Sequence, residues 1–265
     1  MMDSSIGLRS NLTELLTSIA KERIYSSRKV VILTGAGISA ESGIPTFRDK
    51  DGIWTKFSPE ELANFDAFYK NTKIVSEWYK KRRDIIEKKH PNPGHFALKE
   101  MEQLFPSFHI ITQNIDGLHQ KAGSEKVIEL HGNIMRNYCI NCKKEYTTDE
   151  FDEIYNHTDT HIPMCDCDGL IRPDVVWFGE QLPQDALETA FQLAEEADLF
   201  LTIGTSAYVR PASDIPIVAL QNGAYVIEVN PAKTGLTNFT HLNLLGKSGE
   251  ILPKLLEEIK LNLNH

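Results

Sequence analysis

All four cysteines of the chain fall between Cys139 and Cys167. Cys139 and Cys142 enclose two residues, Cys165 and Cys167 enclose one, and 22 separate the pairs. Paired thiolates at such spacing suit a tetrahedral zinc ion, and four protein ligands leave no open position for chemistry, so the expected role is structural. The short second pair leaves Asp166, Asp168, His157 and His161 as substitutes for a weak ligand, with the four cysteines favoured. A second chemical group is His131, which follows the short expected strand Val127 to Leu130 and precedes Gly132. A histidine in that place is either a hydrogen-bonded structural residue or a general base that titrates near neutral pH.

The third group is a glycine turn. Val30, Val31, Ile32 and Leu33 read as a buried parallel strand, and Gly35-Ala36-Gly37 with Ala40 follows at once. The spacing fits the pyrophosphate-binding turn of dinucleotide folds, where missing Cβ atoms let the backbone approach a ligand. Gly43 and Pro45 stop the following helix after about one turn. The acidic residue expected about 20 positions on is replaced by Phe47-Arg48-Asp49. A tight strand-to-helix turn without a ligand is the alternative for this stretch. Asn114 and Asp116 stand at the end of a second strand, where open α/β sheets bind ligands, although Asn and Asp-Gly also favour plain turns.

The run from Gly35 to Arg48 resembles the signature of the sirtuins, NAD-dependent protein-lysine deacylases. The resemblance continues in Gln113-Asn114-Ile115-Asp116, Leu130-His131-Gly132-Asn133, the cysteine cluster, Val176-Trp177-Phe178-Gly179-Glu180 and Gly204-Thr205-Ser206, in family order. It implies that His131 is the general base: the acyl-lysine oxygen attacks ribose C1′ of NAD as nicotinamide leaves, and His131 takes a proton from the ribose hydroxyls. It implies an NAD site over Gly35, Ala36, Gly37, Ala40, Glu41, Thr46, Phe47, Trp54 and Gln113. Ser39, Arg48, Asn114, Ile115 and Asp116 fall on the nicotinamide side, and Gly204, Thr205, Ser206, Asn230 and Ser248 on the adenosine side. It implies that Val176 to Glu180, with the stretch near Tyr208-Val209, holds the substrate peptide as an added strand.

Glu77 to Arg83 reads from its residues as the charged face of a helix. Tyr79 and Arg82 are three apart and share a side of that helix. They match the Tyr-x-x-Arg of sirtuins that remove acidic acyl groups, and Ala63 matches a small residue that widens the acyl pocket there. The substrates this match implies are succinyl- and malonyl-lysine in proteins, with acetyl-lysine as a further candidate. An ADP-ribosyltransferase or NAD glycohydrolase using the same pocket is the rival reaction, and a non-catalytic NAD-binding module the rival class.

Elements must carry these groups. Strands are expected at 29–34, 108–112, 127–130, 199–203, 225–229 and 242–245, each ending in small or polar residues. Helices are expected over the first 23 residues, at 72–89, from about Pro93, and at 184–196, 211–221 and 249–261. The alternation predicts a doubly wound parallel, Rossmann-like sheet, with a smaller zinc-binding module (132–176) and a helical module (55–107) inserted. The main domain then comprises 1–54, 108–131 and 177–265.

At 265 residues the chain supports one large core or a large and a small domain. A formal net charge of −9 argues against nucleic acid or an anionic membrane as the main partner. No run approaches the roughly 18 apolar residues of a membrane span, and the first residues lack a signal-peptide core. The expectation is a cytoplasmic monomer acting on lysine-bearing proteins.

Overall fold

The computed structural model of the protein describes residues 16–46, 62–158 and 160–263. The expected N-terminal helix lies partly outside them. What is described is α1 (Ser18–Ser26), with the Thr17 hydroxyl accepting from the Ala20 amide as its cap. Leu16, Ala20 and Ile24 turn inward, while Ile19 is 63% exposed.

β1 (Lys29–Thr34) is buried from Val30 to Thr34. A 3-10 turn (Ala36–Ser42) follows and ends at Gly43, whose φ of 75° is left-handed. The chain then builds α2 (Phe65–Lys70), α3 (Thr72–Glu87) and α4 (Pro93–Met101), which Asn92 caps, before returning as β2 (Ser107–Thr112). A short α5 (Leu118–Lys121) precedes β3 (Val127–Glu129). The cysteine-bearing stretch is β4 (Gly132–Cys139), β5 (Glu145–Tyr146), α6 (Thr148–His157) and β6 (Ile171–Val175). Then α7 (Gln184–Glu196), β7 (Leu199–Ile203), α8 (Ile215–Gln221), β8 (Tyr225–Asn230), β9 (Leu242–Leu245) and α9 (Ser248–Leu263) complete the chain.

Six parallel strands form one sheet in the order β3-β2-β1-β7-β8-β9. The central strands β1, β7 and β8 are buried on both faces because helices cover both. One layer buries Val30, Ile32, Phe108 and Ile227 against Leu98, Met101, Leu252 and Leu255 of α4 and α9. The other buries Val31, Leu33, Phe200 and Val226 against Ala190, Ala194, Ile215 and Ala219 of α7 and α8. The strand order reverses between β1 and β7, which opens a crevice at their C-terminal ends.

A smaller lobe stands over that crevice. Its three-stranded antiparallel sheet, β5-β4-β6, was not anticipated from the sequence. Its core joins Phe68, Val75 and Tyr79 of the helical segment to Ile134 and Val175 of the sheet. Arg83, 1% exposed, ties α3 to the sheet and α6, donating to Asn137 Oδ1 at 3.1 Å and pairing with Asp152. Two expected module boundaries shift. α4 packs on α9 in the main core rather than in the inserted module, and Trp177 is buried in the small lobe's core rather than in the main domain. In both cases an apolar face shared with a distant element decides membership, which local sequence does not encode.

The crevice depends on glycines that touch one another. A Cβ on Gly37 would lie 2.6 Å from Gly204 Cα, and one on Gly204, whose φ is 61°, would lie 2.5 Å from the Ile38 nitrogen. Backbone bonds hold the contact, from Gly35 N to Ile203 O at 3.0 Å and from Gly37 N to Gly204 O at 2.8 Å. Gly37→Ala is therefore expected to cost about 1–3 kcal/mol through overpacking against backbone. Thermal unfolding should show a fall of several degrees, and an unchanged Tm would mean that the turn has room to shift.

Candidate active site

A cavity of about 750 Å³ occupies the crevice between the two lobes. That size is ordinary for a site holding a cofactor and part of a substrate. The glycine turn forms one wall, through Gly35, Ala36, Gly37, Ala40 and Glu41, and Thr46 stands nearby. Gly204, Thr205, Ser206, Asn230 and Ser248 form the end beyond β7 and β8. The small lobe contributes Ala63, Tyr79, Arg82 and Val176 to Glu180, and Gln113, Asn114, Ile115 and His131 line the floor. Ser39 and Asp116 line a small recess that adjoins it and shares Arg82, Asn114 and Ile115. Phe47, Arg48 and Trp54 lie outside the described residues.

His131 sits at the joint of the molecule. β3 of the large sheet ends two residues before it, and β4 of the small sheet begins at Gly132. Gly132 has φ 76°, and a Cβ there would lie 2.1 Å from Asp174 O, so only glycine lets the chain change sheets at this point. The His131 carbonyl accepts from Val176 N at 3.0 Å. Its Nδ1 lies 2.9 Å from Gln113 O. A carbonyl only accepts, so Nδ1 carries the proton and Nε2 remains the basic nitrogen. Burial holds its pKa below the ordinary histidine value, partly opposed by that hydrogen bond.

Asn114 and Asp116 are engaged in holding the glycine turn. Asn114 Nδ2 donates to Gly35 O at 3.1 Å and Ser39 Oγ at 3.3 Å. Asp116 accepts from Ser39 Oγ at 2.7 Å and from Leu118 N at 2.9 Å. Burial raises the Asp116 pKa, with those two hydrogen bonds and Arg82 opposing. Gln113 Nε2 donates to Thr205 Oγ1 at 3.1 Å, and Asn230 Nδ2 to Thr205 O at 2.9 Å, which ties β2 and β8 to the turn after β7. Glu41 has a role the sequence did not signal. It accepts from Gly249 N at 2.7 Å and so caps α9 at the cavity rim.

The small-lobe wall is held from behind. Arg172, 1% exposed, bonds both oxygens of Glu180 and stacks 3.4 Å from the Trp177 ring centroid. Glu180 also accepts from Trp177 N at 2.8 Å, so it shapes the turn as well as lining the cavity. Phe178 N donates to Ala63 O at 2.8 Å, and Phe178, 43% exposed, stands at the lip with Tyr208. Tyr79 is buried and stays protonated, because burial raises its pKa. Burial lowers that of Arg82, with the opposing pull of Tyr79 and Asp116. Trp78, Leu182, Arg210, Lys233, Thr234 and Lys247 also line the cavity. They come from loop and helix positions with no motif to mark them.

The cysteines converge. Cys139 and Cys167 Sγ are 3.5 Å apart, Cys142 and Cys165 Sγ 3.6 Å, and all four lie within 4.8 Å of one another. A tetrahedral zinc with bonds of about 2.3 Å needs sulfur edges of about 3.8 Å, so the donor set fits. The sequence alternatives are drawn elsewhere: His157 Nδ1 lies 2.8 Å from Glu153 O, His161 Nδ1 lies 3.2 Å from Tyr155 O, and Asp166 pairs with Lys144. Gly169 admits the short second pair, since a Cβ there would lie 2.5 Å from Cys139 Sγ.

The Sir2 family model matches residues 35–211, and the chain belongs to the Sir2, or sirtuin, family. An NAD-dependent protein deacylase of Aquifex aeolicus (strain VF5) is 53% identical over 235 residues, covering 87% of this chain and 95% of the relative. A solved Sir2 homologue in complex with NAD is 42% identical, with a TM-score of 0.86, covering 94% of this chain and 95% of that one. A Sir2 variant solved with deacetylated p53 peptide and 3′-O-acetyl ADP ribose is 38% identical, with a TM-score of 0.84, covering 90% and 96%.

The four-thiolate geometry predicts one zinc per chain by elemental analysis. Cys139→Ser should lower zinc content and Tm together, because structural zinc supplies folding energy. A zinc-free preparation with unchanged Tm would contradict the assignment.

Proposed function

We propose that the protein is an NAD-dependent protein-lysine deacylase with a preference for acyl groups that end in a carboxylate. NAD is its co-substrate, zinc its structural metal and an acylated lysine of a protein its second substrate. The observation that carries the reading is that His131, the glycine turn and the Tyr79/Arg82 pair line one cavity. The deacylase activity of the relatives and the ligands of the solved Sir2 structures support it.

Each wall then has a part. The turn from Gly35 to Glu41 and the adenosine-side residues Gly204 to Ser206, Asn230 and Ser248 hold the dinucleotide. Ser39, Asn114, Ile115 and Asp116 shape the nicotinamide recess. The stretch Val176 to Glu180 receives the peptide backbone, and Ala63 leaves room for the acyl chain. His131 Nε2 takes the proton of a ribose hydroxyl, and the Gln113 carbonyl keeps the ring in the tautomer this requires.

Removing that base by His131→Ala should lower kcat by about 10² or more in a folded variant that still binds NAD. The base must be neutral to act. Because burial lowers its pKa, the acid limb of kcat/KM for the wild type should fall below the ordinary histidine value of about 6.5. Near-wild-type turnover, or a limb above that value, would remove His131 from the role.

An acyl carboxylate entering this mostly apolar cavity needs a partner, since burying it alone is costly. Arg82 offers a planar, permanently charged fork, and Tyr79 a hydroxyl one turn away. Arg82→Met should lower kcat/KM for succinyl-lysine by about 10², the size of a charge-assisted contact, and leave acetyl-lysine nearly unchanged. Equal loss on both would make Arg82 structural.

A further inference from the structure

The Tyr79 hydroxyl is not a free-standing donor. Its oxygen accepts the indole N–H of Trp177 at 2.9 Å, with Tyr79 4% and Trp177 2% exposed. Trp177 is in turn fixed on its other side. Arg172 stacks 3.4 Å from its centroid, held by Glu180 and by a hydrogen bond of 2.6 Å to Val175 O. The indole therefore has one orientation, and its N–H has one use.

This matters because a phenol oxygen can accept one hydrogen bond while its single proton donates another. Because the Trp177 N–H already points at that oxygen, the hydroxyl turns its own proton away from Trp177, and both side chains line the cavity. Hydrogen-bond chains also polarise one another, so a phenol that accepts from an indole donates more strongly. The hydroxyl keeps that proton at neutral pH, because burial raises the Tyr79 pKa.

We infer that Trp177 is a specificity-positioning residue: its indole N–H aims the Tyr79 hydroxyl as a donor toward an acyl carboxylate, and so favours acidic acyl groups over acetyl. The inference rests on the acyl-pocket reading above. It adds that acyl selection is set by the chain Glu180–Arg172–Trp177–Tyr79, in which Glu180 and Arg172 act through Trp177.

Trp177→Phe keeps an aromatic ring and deletes the donor. A second variant carries 3-benzothienylalanine at 177, in which sulfur replaces the N–H at nearly constant volume, so folding and packing are preserved. The readout is the ratio of kcat/KM for succinyl- over acetyl-lysine in one peptide, measured in four backgrounds: wild type, 177 variant, Tyr79→Phe and the double variant. Both 177 variants should lower the ratio about fivefold, the size of one hydrogen bond. In the Tyr79→Phe background they should lower it no further, since the hydroxyl they aim is gone. A ratio unchanged by benzothienylalanine, or lowered equally with and without the Tyr79 hydroxyl, overturns the inference. Arg82→Met separates the two failures. If it leaves the ratio intact, the acyl-pocket reading falls and this inference with it; if it lowers the ratio while the 177 variants do not, only the role of Trp177 falls.

Discussion

The molecule depends on a close backbone contact at the point where its parallel sheet reverses. The turn after β1 and the turn after β7 meet without side chains between them, at Gly35, Gly37 and Gly204. That contact leaves two rows of backbone at the C-terminal ends of the strands and opens the crevice that the rest of the chain encloses. Residues chosen for this approach cannot also fill the space above it. Side chains from elsewhere line the cavity, and Asn114, Asp116, Gln113 and Asn230 brace the turns from the sides.

A second constraint follows from where the small lobe joins. Its sheet begins at Gly132, one residue after His131, so the proposed base stands at the seam of the two lobes. Covalent continuity therefore fixes the base relative to both the nucleotide wall and the peptide wall. The Val176 N bond to the His131 carbonyl closes the same seam from the other side. The four-cysteine cluster lies at the far end of β4. A zinc held there would clamp the two cysteine-bearing loops together and would need no place in the chemistry.

Much of this was legible in the sequence, for local reasons. Gly43 and Pro45 stop the turn after β1 where expected, and Gln184–Glu196 forms where a helix was expected to fill the gap between strands. The strands ending at Thr112, Ile203 and Asn230 carry polar residues into the crevice, and the four cysteines meet despite the short second pair. What was not legible is what depends on distant partners. Nothing local in β4 and β6 marks them as an antiparallel pair, because their register carries a bulge between Asn133 and Asn137. α4 follows the helical segment in sequence, yet its apolar face packs on α9 in the main core. Glu41 reads as part of a motif, yet it caps a helix that begins over 200 positions later. The Trp177–Tyr79 bond joins residues 98 apart.

The central claim is that one cavity couples NAD cleavage to removal of an acyl group from lysine. The most direct test is product analysis with one succinylated peptide and NAD, following nicotinamide, free peptide and the ribose-linked product together by mass spectrometry. The account predicts nicotinamide and deacylated peptide formed one for one, with the succinyl group recovered on ADP-ribose. Nicotinamide release with free ADP-ribose or an ADP-ribosylated protein, and the peptide still acylated, would contradict it.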